Sequence, residues 1–386
     1  MNINKTLISL LRFAVCGGEF DKNLIDGLDE ETLKKIYCLA NKHDMAHIVS
    51  KALADLGVSL TSQIGAKFVE KQMMAVYRYE RSKHELSAIC GALENNKIMY
   101  LPLKGSVIRD YYPEPWMRTS CDIDILVQKS DIDMAVKCLE EDLKYVYKEK
   151  SPHDVSLYSP SGIHLELHHR LIENKDSESF EKTLAKVFDY TEHANGFNYK
   201  LNMTQDMFYY FHIAHMAKHF TSGGCGIKPL LDLWVLEHRA DYKFDVARKL
   251  LEKGGLFKFA ESIRKLMHTW FLGEEETEVS RQLEEYILTG GVYGCSVNRM
   301  SVTQSKRRGK FKYILRKIFL PYSTIKLYYT VLEKHKWLLP LCELHRWLRL
   351  IFCGGIDKSI REIKTTNSVS DEQIENAGSL LENIGL

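Results

Sequence analysis

Asp122 and Asp124 stand one residue apart at the head of the apolar run Ile125-Leu126-Val127. Side chains two apart on a strand share a face, so the two carboxylates point the same way. Carboxylates held side by side repel each other, and a cation between them relieves that repulsion. Hard oxygen ligands favour Mg²⁺ or Mn²⁺, ions that commonly escort phosphate-bearing substrates. The chemistry to expect is therefore metal-assisted work on a phosphate-bearing substrate.

The elements that must position this pair can be read on either side. Ile98 to Leu103 reads as an apolar strand, followed by Gly105-Ser106 and a short helix to Tyr112 that Pro113 and Pro115 close. A helix that opens directly after a strand presents free backbone N–H groups to a phosphate, and glycine permits close approach. Asp122 to Val127 is the second strand. Ser130, with Asp133 three residues on, starts a helix to about Asp142. Lys144 to Lys148 reads as a third strand. Val155–Tyr158 and Ile163–His168 flank a Ser-Pro-Ser-Gly turn and read as a hairpin.

The ordered set Leu103-Lys104-Gly105, Arg118, Asp122-Ile123-Asp124 and Glu166-Leu167-His168 resembles the polymerase-β-like nucleotidyltransferase superfamily. More narrowly, it is similar to a bacterial branch of largely uncharacterised nucleotidyltransferases. The resemblance is strongest from about residue 85 to 240. It implies an α+β fold, a small mixed sheet with helices on one side, flanked by N- and C-terminal helical regions. It also implies transfer of NMP from an NTP to a hydroxyl acceptor with release of pyrophosphate. Two cations can organise such a transfer, and three carboxylates are the usual minimum to hold them. Glu166, on a neighbouring strand, is the candidate third ligand beside Asp122 and Asp124; His164 and His168 share its strand face. Lys104, Gly105 and Ser106 are candidates to hold the triphosphate. The separation of Ser106 from Asp122 is longer than the compact superfamily pattern. Arg118 could clamp a phosphate with its planar fork or pair with an aspartate to fix its loop. His215 and Asp232 are candidates to line the substrate cleft.

Bulk properties bound the rest. The chain has 386 residues, 45% hydrophobic and 27% charged, with a net charge of +2, as in ordinary globular proteins. Three regions are expected: a helical 1–97, a core 98–200 and a helical 201–386. Charge is uneven: Ser301 to Leu350 carries 12 Lys/Arg against 2 acids. Within it, 306–317 interleaves Phe311 and Tyr313 with cations. That pattern suits nucleic-acid contact, a solvated helix face or an anionic membrane surface. The 9 cysteines form no Cys-x-x-Cys, which argues for reduced thiols and a cytoplasmic setting. No apolar segment is long enough to span a membrane. His43 and His47, and likewise His212, His215 and His219, are read as packing or helix-face residues in preference to zinc ligands. The acceptor is left open between a small molecule, a tRNA and a protein. Two competing readings are a nucleotidyltransferase fold that has lost catalysis and serves as a binding module, and a toxin-like enzyme that modifies tRNA.

Overall fold

The computed structural model describes residues 2–25, 27–171, 179–240, 242–292, 294–307, 319–352 and 369–386. The basic stretch 306–317 lies outside the described residues from 308 onward.

The N-terminal region is helical: α1 (Ile3–Leu11), α2 (Glu30–Lys42), α3 (Ala46–Asp55) and α4 (Gln63–Asn95). Asp29 and Ser62 cap α2 and α4 by accepting from the backbone N–H groups of Thr32 and Gly65. α4 is a single 33-residue helix, longer than the helix from Tyr77 through Leu93 that the sequence leads one to expect. Through its middle turns Met73, Met74 and Tyr77 are exposed, and the buried line runs through the small residues Ala75 and Ser82.

The core follows as β1 (Tyr100–Pro102), α5 (Gly105–Ile108), β2 (Asp122–Val127), α6 (Ile132–Leu143), β3 (Val146–Lys150), β4 (Asp154–Tyr158) and β5 (His164–His168). The expected helix to Tyr112 stops being α-helical at Ile108 and finishes as a 3₁₀ turn, Arg109–Tyr111. The sheet order is β1-β2-β5-β4-β3. β2 and β5 run parallel, and the β1–β2, β5–β4 and β4–β3 pairs run antiparallel. The fold is thus α+β with a small mixed sheet, and the β4–β5 hairpin forms where the turn residues place it.

Alternation gives the sheet two unlike faces. Ile123, Ile125, Val127, Leu165, Leu167, Val155 and Leu157 point back into a core shared with Ile89 and Leu93 of α4 and Ala135 and Leu139 of α6. The front face carries Asp122, Asp124, His164, Glu166 and His168. Helices also reach this face, contrary to a one-sided arrangement: Leu101, Leu103 and Leu126 join the larger core of the helical body.

After β5 come α7 (Ser179–Leu184), a two-stranded ribbon of β6 (Thr191–His193) and β7 (Leu201–Met203), then α8 (Gln205–Thr221), α9 (Lys228–His238), α10 (Phe244–Lys253), α11 (Phe257–Phe271), α12 (Glu278–Thr289) and α13 (Ser296–Arg307). The Gly223-Gly224 pair, with φ of 120° and 106°, breaks the chain between α8 and α9. Among the described residues the chain goes on to α14 (Tyr322–Tyr328), α15 (Leu339–Phe352) and α16 (Asp371–Ile384). One apolar core joins Leu7, Ile48 and Phe68 of the N-terminal helices to Tyr210, Leu231 and Phe259 of the later ones. The two helical regions are therefore halves of one body against which the sheet is seated.

Candidate functional site

β2 and β5 pair in a register that sets Asp122 against His164, Asp124 against Glu166 and Leu126 against His168. The parallel pairing thus gathers residues more than forty positions apart on one face. Ligand atoms of Asp122, His164 and Glu166 all lie within 4.8 Å of one another, as do those of Asp124, Glu166 and His168. Both trios share Glu166, and they are the groupings of this kind found among the described residues.

The members are not electrostatically alike. Asp124 is 4% exposed, and its Oδ1 accepts from Lys104 Nζ at 3.1 Å and lies 2.9 Å from His168 Nε2. Burial would raise its pKa, but the Lys104 ammonium and the His168 bond hold it well below the usual carboxylate range. Asp122 moves the other way: burial and then repulsion from Asp124 raise it, against a hydrogen bond from Ser120. Lys104 and His168 are both pulled down by burial, yet both end raised because Asp124 stabilises their charged forms. Glu166 is lowered, chiefly by its contact with His168.

Local backbone geometry aims these groups. Lys104 holds φ at +44°, an uncommon value for a residue with a Cβ, and this turns its ammonium onto Asp124 as the chain leaves β1. Gly105 is buried against Ser120 and Arg118, where an added Cβ would touch Ser120 at 3.4 Å. Ser106 is half-buried, and its backbone N–H donates to the Leu103 carbonyl at 3.2 Å. Ser120 donates to the Asp122 carbonyl and shares a bond with its Oδ1, each at 2.9 Å. The sequence reading missed Ser120; a serine two residues before an aspartate at a strand entry is a local signal that would have found it. His164 is fixed from behind by Ser156 Oγ at 2.6 Å and by stacking on Tyr158.

Arg118 does not reach the carboxylate cluster. Its Nε donates to Asp232 Oδ1 at 2.7 Å, and Tyr112 donates to the same oxygen at 2.7 Å. Of its two readings, the structure displays the aspartate pairing that fixes the loop. Asp232, 1% exposed, is that buried partner and does not line a cleft. The next residue, Thr119, donates to Asp44 Oδ2 at 2.6 Å, and Lys228 Nζ contacts Asp44 at 2.7 Å and Thr119 Oγ1 at 2.9 Å. One residue earlier, His47 Nε2 donates to the Met117 carbonyl at 2.8 Å. Three consecutive loop residues are thus anchored to α3, α9 and the α2–α3 turn, immediately before Ser120 and Asp122. Sequence gave no sign of the Asp44–Lys228 pair, which closes over 184 positions.

Beside Glu166 and His168 lies a cavity of about 270 Å³, lined also by Lys104, His153, Phe211 and His215. His215 therefore does line a cavity at the site, and burial keeps its imidazole neutral, well below its ordinary pKa. His212 is committed to the Pro229 carbonyl at 2.9 Å, a packing role as expected.

A mixed sheet whose open face gathers three carboxylates, with a lysine and histidines around them, is suited to phosphoryl chemistry. The chain matches the family model described as uncharacterised nucleotidyltransferase over residues 29–272, well over half its length, and belongs to that family. No curated protein and no solved structure matches it.

Proposed function

We propose that this protein transfers NMP from an NTP to a hydroxyl acceptor, releasing pyrophosphate, with Mg²⁺ or Mn²⁺ bound at the front of the sheet. The observation that carries this reading is the clustering of Asp122, Asp124 and Glu166 on one face, with an excess of negative charge over Lys104 and His168. Hard carboxylate oxygens in that number fit a divalent cation. Asp122, Asp124 and Glu166 would hold it. Bound there, the cation would neutralise charge on the phosphates and polarise the phosphoryl group under attack.

The chain's own groups do the rest. In the transfer, the acceptor oxygen forms its bond to the α-phosphorus as the bond to the pyrophosphate oxygen breaks. The pyrophosphate leaves with the electron pair, and the acceptor's proton passes to a carboxylate oxygen of the cluster. Lys104, whose charged form Asp124 stabilises, would meet triphosphate charge. Gly105 and Ser106 begin the short α5 beside it. Arg118 acts through the loop: tied to Asp232, it fixes the approach to Ser120 and so the rotamer of Asp122. It is a positioning residue in this reading.

A second reading, a catalytically inactive binding module, draws on the fact that Asp124 is already met by Lys104 and His168 within the chain. The test separates the two. Purified protein is incubated with each α-³²P-labelled NTP, Mg²⁺ or Mn²⁺, and cell extract fractionated into protein, RNA and small molecules. Label entering one fraction with the native chain, and not with Asp122→Ala/Asp124→Ala, supports transfer and identifies the acceptor class. Absence of transfer from every NTP, together with absence of metal-dependent NTP binding, supports the binding module.

A further inference from the structure

Segment 319–352 differs from the rest of the molecule in what it exposes. α14, two 3₁₀ turns and α15 pack on one another around a small core of Ile325, Leu332 and Cys342. Along α15, Leu341, Leu344 and Leu348 fall at i, i+3 and i+7 and share one stripe. All three are exposed, at 58%, 56% and 45%. Trp337, just before the helix, is 73% exposed. Apolar side chains aligned outward in this way mark a surface that meets something apolar.

Charge says what that something is. Segment 319–352 carries 5 Lys/Arg against 2 acids. One of those acids, Glu343, is buried, paired with Arg346 at 2.8 Å and bonded to the Leu320 N–H at 2.6 Å. The exposed surface around the stripe carries Lys334, Lys336 and Arg349, with Glu333 as its one exposed acid. A nucleic acid would satisfy the cations and leave the three leucines in water. A surface offering anions above and hydrocarbon below satisfies both, and an exposed tryptophan suits the boundary between them.

We propose that segment 319–352 docks this protein onto an anionic lipid surface, with α15 lying in the plane of the interface. The described part of α15 is short for a span: its 14 residues reach about 21 Å, against roughly 30 Å of hydrocarbon. Among the described residues, no helix is long and apolar enough to cross a membrane.

The experiment is flotation of the full chain with vesicles of phosphatidylcholine alone or with about a third phosphatidylglycerol, at low and high salt, with and without poly(U). The expected result is about tenfold or more preference for the anionic vesicles, weakened by salt. Replacing Leu341, Leu344 and Leu348 together by Gln, all exposed and so compatible with the fold, is expected to reduce binding by about tenfold or more. A circular-dichroism spectrum and melting curve unchanged from the native chain accompany that variant. Failure of the native chain to bind anionic vesicles overturns the proposal. So does vesicle binding that the leucine substitutions leave intact, since adhesion is then through charge alone, as for any polyanion. A native chain that self-associates through the leucines and ignores vesicles assigns the stripe to a second copy and overturns it too.

Discussion

Two charge clusters lie a few residues apart along one loop, and they are built on opposite plans. Beneath the loop, Arg118 with Asp232 and Lys228 with Asp44 form matched pairs, and Tyr112 and Thr119 take up further lone pairs. The Lys228 ammonium outweighs the cost of burial at Asp44 and brings its carboxyl down to about 2. At the front of β2 and β5, three carboxylates face two cationic groups, and Asp122 is raised because burial and Asp124 both oppose its ionisation. The first cluster is closed and balanced; its removal costs structure. The second is open and carries a surplus of negative charge, which in the proposed function a divalent cation offsets. The same residue types form a clamp in one place and the proposed site in the other because of how many counter-charges each has.

The sharpest way to break this contrast is to neutralise the open cluster. Asp122→Asn or Asp124→Asn is expected to lower label transfer from α-³²P-NTP by about 10³-fold or more, as expected for loss of a metal ligand at a phosphoryl-transfer centre. Urea unfolding of Asp122→Asn is expected to change by less than about 1 kcal/mol, because the substitution also removes repulsion. Full activity in Asp122→Asn would show that the open cluster is not the site.

An aspartate from the closed cluster should behave in reverse. Asp232→Ala leaves the Arg118 guanidinium buried without its partner, which costs about 3–5 kcal/mol. The urea midpoint reads this directly. An effect as small as that of Asp122→Asn would mean that the buried pair is not a clamp.

The open cluster was legible in the sequence because it is built from short-range rules. Period-two alternation placed Asp122 with Asp124 and aligned Glu166 with His164 and His168, and turn residues fixed the β4–β5 hairpin. The closed cluster was not legible, because Arg118 and Asp232 meet across 114 positions and Lys228 and Asp44 across 184. Such pairings are set by how the two helical regions pack, and no local pattern encodes them. Arg118 accordingly kept two readings until its partner could be seen. The extent of α4 escaped for a different reason: the face it buries through its middle is carried by Ala75 and Ser82, which give little apolar signal.

Acid offers a graded test of the closed side. His47 and His43 sit at 2% and 0% exposure, and burial pushes each imidazole down to about 4. Each is a base with a folded pKa below its unfolded value of about 6.5, so the unfolded chain binds more protons between those values. Their contribution is complete above about pH 6.5 and is lost as pH falls towards 4. The expected loss is on the order of 3 kcal/mol for each histidine. Urea unfolding at pH 7 and pH 4.5 measures it, and His47→Gln should reduce the slope between them. A flat profile would mean that His47, at the loop, and His43, against the Leu288 carbonyl, accept a proton without loosening the helices around them.

The smallest effect tests whether the two clusters communicate. Thr119→Val keeps the shape of a side chain that is 8% exposed and deletes the hydroxyl that bonds Asp44 at 2.6 Å and Lys228 at 2.9 Å. Asp44 and Lys228 keep each other, so the expected loss of stability is about 1 kcal/mol. Ser120 follows directly and bonds the Asp122 carboxylate, so any shift of the loop moves that carboxylate. Mn²⁺ titration followed by electron paramagnetic resonance should then show affinity weakened by about two- to tenfold, the equivalent of about 0.4–1.4 kcal/mol. If stability drops and Mn²⁺ affinity holds, the closed cluster secures the fold without setting the site. If both move together, the helical body positions the carboxylates, and the clamp belongs to the site's function as well as to its stability.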